Sequence, residues 1–176
     1  FGIVVPMVNT AEEARAAVAA TKYHPEGNRS VGGSLHCLNF GVPAPEYYAE
    51  ASNEIFVAVQ TEHIEAVKNA EEICAVPGVD AIFVGPNDLL QSMGKTPGME
   101  SDDQEFIDAM NHLRETALKH GVAPGLHTLL PEQLRRRIDE GWTFLALGSD
   151  VALMLQGAKN SLREAGIGEG GESARY

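Results

Sequence analysis

Val57-Ala58-Val59-Gln60-Thr61-Glu62 and Ala81-Ile82-Phe83-Val84-Gly85-Pro86-Asn87-Asp88 are two short apolar runs, and each ends in a carboxylate. Apolar runs of this length read as strands buried on both faces, as in a parallel sheet. Helical sequence follows each run, so the two carboxylates belong to successive βα units. Adjacent parallel strands set their C-terminal ends side by side, and α/β folds bind ligands along that edge. Two carboxylates there suit a hard divalent cation such as Mg²⁺, which prefers oxygen ligands and leaves positions open for water or substrate. Taken singly, Glu62 reads equally well as the start of a helix and Asp88 as a cap, because negative charge stabilises helix N-termini. Their joint occurrence, with Gly85-Pro86 just before Asp88, favours a metal site.

Outward from these strands the chain repeats the same alternation. Phe1 to Val8 is a continuous apolar strand, and Thr10 with Glu13 forms a capping-box pattern that opens a helix through about Thr21. Its inner face is Ala14, Ala17, Val18 and Thr21. Lys22 to Tyr48 carries Pro and Gly without clean periodicity and reads as a long functional loop. Arg29 and His36 in it are open to several roles. The second strand, Ile55 to Glu62, leads into a helix to about Ala75 with Ile64, Val67, Ala70 and Ile73 facing inward. Pro77-Gly78 turns the chain into the third strand, Ala81 to Val84, and Leu89 to Glu100 reads as a second long loop. Ser101 caps the next helix, whose stripe is Phe106, Met110, Leu113 and Ala117, stopped by Gly121. Ala123 to Thr128 is the fourth strand, followed by a helix opened by Pro131 and ended at Gly141. Trp142 to Leu147 is the fifth strand, and a last helix runs from Ser149 or Asp150 to about Ala165. The Gly-rich tail, residues 166–176, is expected to be mobile. Five βα units demand a parallel sheet covered by helices. A doubly wound open sheet and part of a (β/α)₈ barrel both satisfy that pattern.

Composition narrows the function. A formal net charge of −12 argues against nucleic acid, whose phosphates require basic patches. An anionic substrate then needs a local positive centre, either a metal or an arginine. Cys37 and Cys74 lack CxxC spacing, so neither a disulfide framework nor a zinc site is indicated, and a reducing cytoplasm is the expected setting. No apolar run approaches 18 residues and no signal-peptide pattern is visible, which leaves membranes out of the expected partners.

The segment Val59-Gln60-Thr61-Glu62 followed by Glu65-Ala66-Val67-Lys68-Asn69 resembles a metal-ligand segment of the class II 2-oxo-acid aldolases. These include the 4-hydroxy-2-oxoheptanedioate and 2-dehydro-3-deoxyglucarate aldolases. Gly78 to Leu89 is similar to the second ligand segment, Tyr23-His24-Pro25-Glu26-Gly27-Asn28-Arg29 to a third signature, and Phe144 to Asp150 to the last strand. The similarity runs from about residue 3 to about residue 163. It implies a (β/α)₈ barrel in which residues 1–165 supply the last five βα units, strands four to eight. It also implies a homo-oligomer in which paired subunits exchange the last helix. That helix carries Val151, Leu153, Met154, Leu155, Ala158 and Leu162 around most of its circumference, more than one barrel face can cover.

A whole barrel of this kind takes about 250 residues, and the resemblance places the catalytic histidine and a substrate-binding arginine upstream of Phe1. None of the six histidines here stands at the position of the family base, so the chain reads as a fragment or as lacking a preceding segment. The resemblance implies that Glu62 and Asp88 chelate Mg²⁺, with Mn²⁺ or Co²⁺ as alternatives, together with the carboxylate and keto oxygens of a small 2-oxo acid. Cleaving the C3–C4 bond of a 4-hydroxy-2-oxo acid then yields a metal-bound pyruvate enolate. No lysine lies in any of the five strands, consistent with a route that needs no Schiff base. Gly85 and Pro86 would let the backbone approach the substrate, backbone amides around Asn87 would bind its carboxylate, and Gln60, on the same side of its strand as Glu62, would contact metal ligand or substrate. Decarboxylation of oxaloacetate reaches the same enolate, which macrophomate synthase adds to a pyrone, and that is the second reading. A third is a barrel remnant that serves assembly without catalysis. His127, where the family carries an aliphatic or small residue, stands at a strand end, either facing the mouth or bonding a neighbouring loop.

Overall fold

The computed structural model describes residues 1–167, and the tail expected to be mobile lies outside them from residue 168 onward. Five strands, β1 (Gly2–Val5), β2 (Phe56–Gln60), β3 (Ala81–Val84), β4 (Ala123–Thr128) and β5 (Phe144–Leu147), form one sheet in sequence order, and every pairing is parallel. A doubly wound sheet reverses its strand order at a switch point. This sheet has no reversal, so the doubly wound alternative is excluded.

The sheet is also curled. The rings of Phe56 on β2 and Phe144 on β5 lie 5.1 Å apart, and Phe83 on β3 lies 5.6 Å from Phe144. In a flat sheet β2 and β5 would be separated by three strand spacings, roughly 14 Å. The three aromatic rings therefore close over a concave face, and the five strands make a half-barrel. Glycines on that face make room for them. A Cβ at Gly2 would sit 2.8 Å from the Phe56 Cβ, and one at Gly125 would sit 2.8 Å from the Phe144 ring. Alternation sends Val59, Ile82, Val84 and Leu126 to the convex side, where they form a single core with the helices.

Helices α1 (Ala11–Thr21), α2 (Ala44–Glu54), α3 (Ile64–Lys68), α4 (Ala70–Cys74), α5 (Pro86–Ser92), α6 (Gln104–Lys119), α7 (Pro131–Asp139) and α8 (Asp150–Glu164) complete the chain. The capping box at α1 forms as its sequence indicates. The Phe106, Met110, Leu113 and Ala117 stripe of α6 is buried. Several boundaries differ from the sequence reading. The helix expected to run to Ala75 breaks at Asn69, whose side-chain amide donates to the Asn9 carbonyl at 2.8 Å. The cap of α6 is Asp103 rather than Ser101. Asp103 accepts from the Glu105 and Phe106 amides and also pairs with Lys95 at 2.7 Å, and a hydroxyl cannot do both. β1 ends at Val5, three residues early, because Met7 turns out of the strand with φ 55°. β5 begins at Phe144, since Trp142 is buried before the ladder starts.

Two supposed loops contain helix. Lys22 to Tyr48 holds a 3-10 turn, Leu35–Asn39, and the start of α2. Aromatic contacts order it: Tyr23, His36, Tyr47 and Tyr48 pack edge to face, and the Arg29 guanidinium lies 4.6 Å over the Tyr23 ring and donates to the Tyr47 hydroxyl. The loop expected from Leu89 onward begins only after α5, which Pro86 opens at its first turn. At the other end of the sheet, no residue of α8 is buried, and Leu153 and Met154 are 62% and 67% exposed. Neither long segment folds over it. No helix among the described residues is long and apolar enough to cross a membrane.

The curl can be tested through Gly125. Its Cβ position lies 2.6 Å from the Phe144 carbonyl oxygen and 2.7 Å from that of Ile82, both rigid backbone atoms. Gly125→Ala should destabilise the protein by about 2–3 kcal/mol, read as a lowered midpoint in denaturant unfolding. An unchanged midpoint would show that the strands are not held this tightly.

Candidate metal centre

Alternation along β2 puts Gln60 and Glu62 on the concave side, with Glu62 two residues beyond Gln60. Between them the Thr61 amide donates to the Phe83 carbonyl at 3.1 Å, which carries the ladder past the end of the strand. The Glu62 carboxylate is 4% exposed, and both of its oxygens are held. Oε1 accepts from the Met7 amide at 3.1 Å and Oε2 from the Gln60 side-chain amide at 2.9 Å. Met7 reaches it only because its backbone is left-handed, a conformation costing a side-chain-bearing residue roughly 1 kcal/mol or more. The Val8 amide then returns to the Gln60 carbonyl at 3.1 Å, fixing β1 to the same edge. Sequence reading missed Met7, and nothing in a Pro-Met-Val stretch signals a left-handed residue.

Gly85 stands at the end of β3, opposite Glu62. A Cβ there would overlap Glu62 Oε2. The sequence reading gave this glycine to the substrate. In the structure its missing side chain is the space that the Glu62 carboxylate fills. Pro86 is buried in the first turn of α5, Asn87 turns its amide to Met99 Sδ at 3.3 Å, and the Asp88 side chain is exposed on the same turn. Gln60, Glu62 and Gly85 are thus in direct contact. Asp88 acts on Glu62 through its charge. Pro86 and Asn87 can offer the site their backbone, since their side chains are engaged elsewhere.

Burial is the main force pushing the Glu62 carboxyl above the ordinary carboxylate range. The Met7 amide opposes it, the Asp88 charge adds to it, and the Gln60 amide opposes it again. Glu62 is therefore desolvated within reach of the Asp88 charge, a cost that a cation would relieve. Among the described residues no group of three or more His, Cys, Asp or Glu converges on a point. A cation here would have two carboxylate ligands and several positions for water or substrate oxygens, which fits Mg²⁺ chemistry. His127, at the end of β4, makes the neighbouring-loop contact, with Nε2 2.9 Å from the Gly148 carbonyl oxygen.

The sign of the Glu62 effect follows from linkage. A carboxyl whose pKa rises on folding binds its proton more tightly when folded, so stability falls as pH climbs from the ordinary range through the raised value. Glu62→Gln keeps the shape, and Gln60 can rotate its amide to present oxygen. The metal-free variant should melt higher than wild type at pH 7, by about 2 °C for each ~1 kcal/mol relieved in a chain of this size. Melting at or below the wild-type temperature would show that the carboxylate is not strained.

Comparison with known proteins identifies the family. The family model described as HpcH/HpaI aldolase/citrate lyase matches residues 1–157. A hydroxypyruvate/pyruvate aldolase of Cupriavidus necator is 40% identical over 159 residues, 89% of this chain and 58% of the relative. A 5-keto-4-deoxy-D-glucarate aldolase of Klebsiella pneumoniae is 39% identical over 153 residues, 87% of this chain and 59% of the relative. The crystal structure of macrophomate synthase superposes with a TM-score of 0.72 at 25% identity, covering 93% of this chain and 58% of that one. This chain therefore spans less than two thirds of the length of these relatives. By the family model over residues 1–157 and the identity to these relatives, the chain belongs to the HpcH/HpaI aldolase/citrate lyase family.

Proposed function

We propose that the whole protein is a metal-dependent carbon–carbon lyase that cleaves or forms 4-hydroxy-2-oxo acids. In this reading the five strands are the latter part of an eight-stranded barrel. The observation that carries the proposal is the buried Glu62 carboxylate, gripped by Met7 and Gln60 and facing the charge of Asp88. Both carboxylates would hold the divalent cation, Mg²⁺ by the character of the ligands, with Mn²⁺ or Co²⁺ as alternatives. When bound, the cation supplies a Lewis acid at the keto oxygen, where negative charge gathers as the C3–C4 bond breaks. Met7 and Gln60 fix which Glu62 lone pairs remain for the metal, and Gly85 leaves the space in which the carboxylate lies. The backbone at Gly85, Pro86 and Asn87 borders the same edge and would line the substrate.

The names of the relatives, a hydroxypyruvate/pyruvate aldolase and a 5-keto-4-deoxy-D-glucarate aldolase, support a small 2-oxo acid as substrate; the candidates in this reading are pyruvate, oxaloacetate or a 4-hydroxy-2-oxo acid. Similarity to macrophomate synthase supports the second reading, decarboxylation of oxaloacetate with carbon–carbon bond formation to a pyrone. Asp88→Asn separates catalysis from mere assembly. In the full-length protein it should lower magnesium-dependent pyruvate release at least 100-fold, and it should abolish the rise in melting temperature that Mg²⁺ gives wild type. Turnover at the wild-type rate without added metal would rule out this chemistry.

Assembly follows from α8. Its apolar residues are exposed on every side, and exchange with a second copy would bury them by contacts of the kind one subunit would otherwise make. Light scattering of the full-length protein at micromolar concentration should give a multiple of the subunit mass. Leu155→Asp, on this helix, should shift it toward the monomer, and a monomeric wild type would refute the exchange.

A further inference from the structure

The concave face carries one polar side chain that the metal centre does not use. His127 has the same parity on β4 as Gly125, whose missing Cβ faces the Phe144 ring, so its imidazole lies on the concave side with Gln60 and Glu62. The ladder sets Val84 beside Leu126, which places Gly85 beside His127. Glu62 lies over Gly85, so its carboxylate is about one strand spacing, roughly 5 Å, from the His127 backbone. Gly85 puts no side chain of its own between them. The imidazole is half-buried and anchored: the Gly148 carbonyl can only accept, so Nε2 carries a proton. In the neutral ring the lone pair is then on Nδ1, which takes no hydrogen bond from any described residue. A fixed acceptor therefore stands at the mouth, next to the place where the carboxylates would hold a substrate.

We infer that His127 is a specificity-determining residue that accepts a hydrogen bond from a hydroxyl on C3 of the 2-oxo acid, favouring hydroxylated donors over plain pyruvate. The inference rests on the metal-centred reading above. A 2-oxo acid chelated through its carboxylate and keto oxygens has only its C3 substituent left to meet a neighbouring strand end. A methyl group offers His127 nothing and leaves the Nδ1 lone pair unpaired, whereas a hydroxyl satisfies it.

The test compares hydroxypyruvate with pyruvate on the full-length, magnesium-loaded protein, by calorimetric affinity and by kcat/KM with one fixed aldehyde. Wild type should favour hydroxypyruvate. In His127→Leu the ratio of the two affinities should fall about tenfold, the size of one hydrogen bond. His127→Asn, which keeps an acceptor near the Nδ1 position, should restore most of it. Equal affinity of wild type for the two acids, or a parallel loss of both in His127→Leu, would overturn the assignment. Absence of lyase turnover while the binding preference persists would remove the lyase reading and leave this one standing.

Discussion

Everything at the site depends on a carboxylate lying where a side chain would otherwise be. Glu62 is buried over Gly85, between two hydrogen-bond donors that come from different directions in sequence, Met7 from the turn after β1 and Gln60 from its own strand. That arrangement ties three consecutive strands into one edge and sets the charge of Asp88 against an already desolvated acid. A protein gains nothing in stability from such a pair. Its presence in a well-packed edge is the physical argument for a cation, and the parallel order of the sheet is what sets successive strand ends side by side, where both would serve as ligands in the proposed reading.

Curl and site are connected through glycine. Gly2 and Gly125 yield their side-chain space to Phe56 and Phe144, which fill the lower part of the concave face, and Gly85 yields its space to Glu62. The aromatic layer seals the floor and the carboxylates occupy the rim. A larger residue at any of these positions would push a strand outward, so the geometry of the rim depends on packing several residues below it.

Much of this was legible in the sequence. Strands β2 and β3 announce themselves as apolar runs, and Glu62 and Asp88 stand at the two positions where such runs meet polar sequence. The stripe of α6 is periodic and is buried as written. What sequence could not show came from long-range contacts. The left-handed Met7 has no local signature, because only the distant Glu62 gives its amide a reason to turn. α2 is obscured by Pro43 at its N-cap and Pro45 in its first turn, and by aromatic residues that serve a cluster with Tyr23 and His36 instead of a helix stripe. α5 is hidden in the sequence by the Gly and Pro that follow Leu89, although a proline in the first turn and an acid after it favour a helix start. Gly85 reads from sequence as an approach for substrate, and the structure adds a second demand on it, the Glu62 carboxylate lying in its side-chain space.

Met7 has an evolutionary consequence. It serves the centre through its backbone amide alone, while its side chain stands about half exposed at the same rim. The identity of residue 7 is thereby uncoupled from the electrostatics of the carboxylates. Any residue that tolerates a left-handed backbone preserves the grip on Glu62, whereas proline, lacking the amide, and β-branched residues, which resist the conformation, do not. Exchanging residue 7 for another flexible or polar side chain would thus change what the rim presents without disturbing the groups that hold the charge.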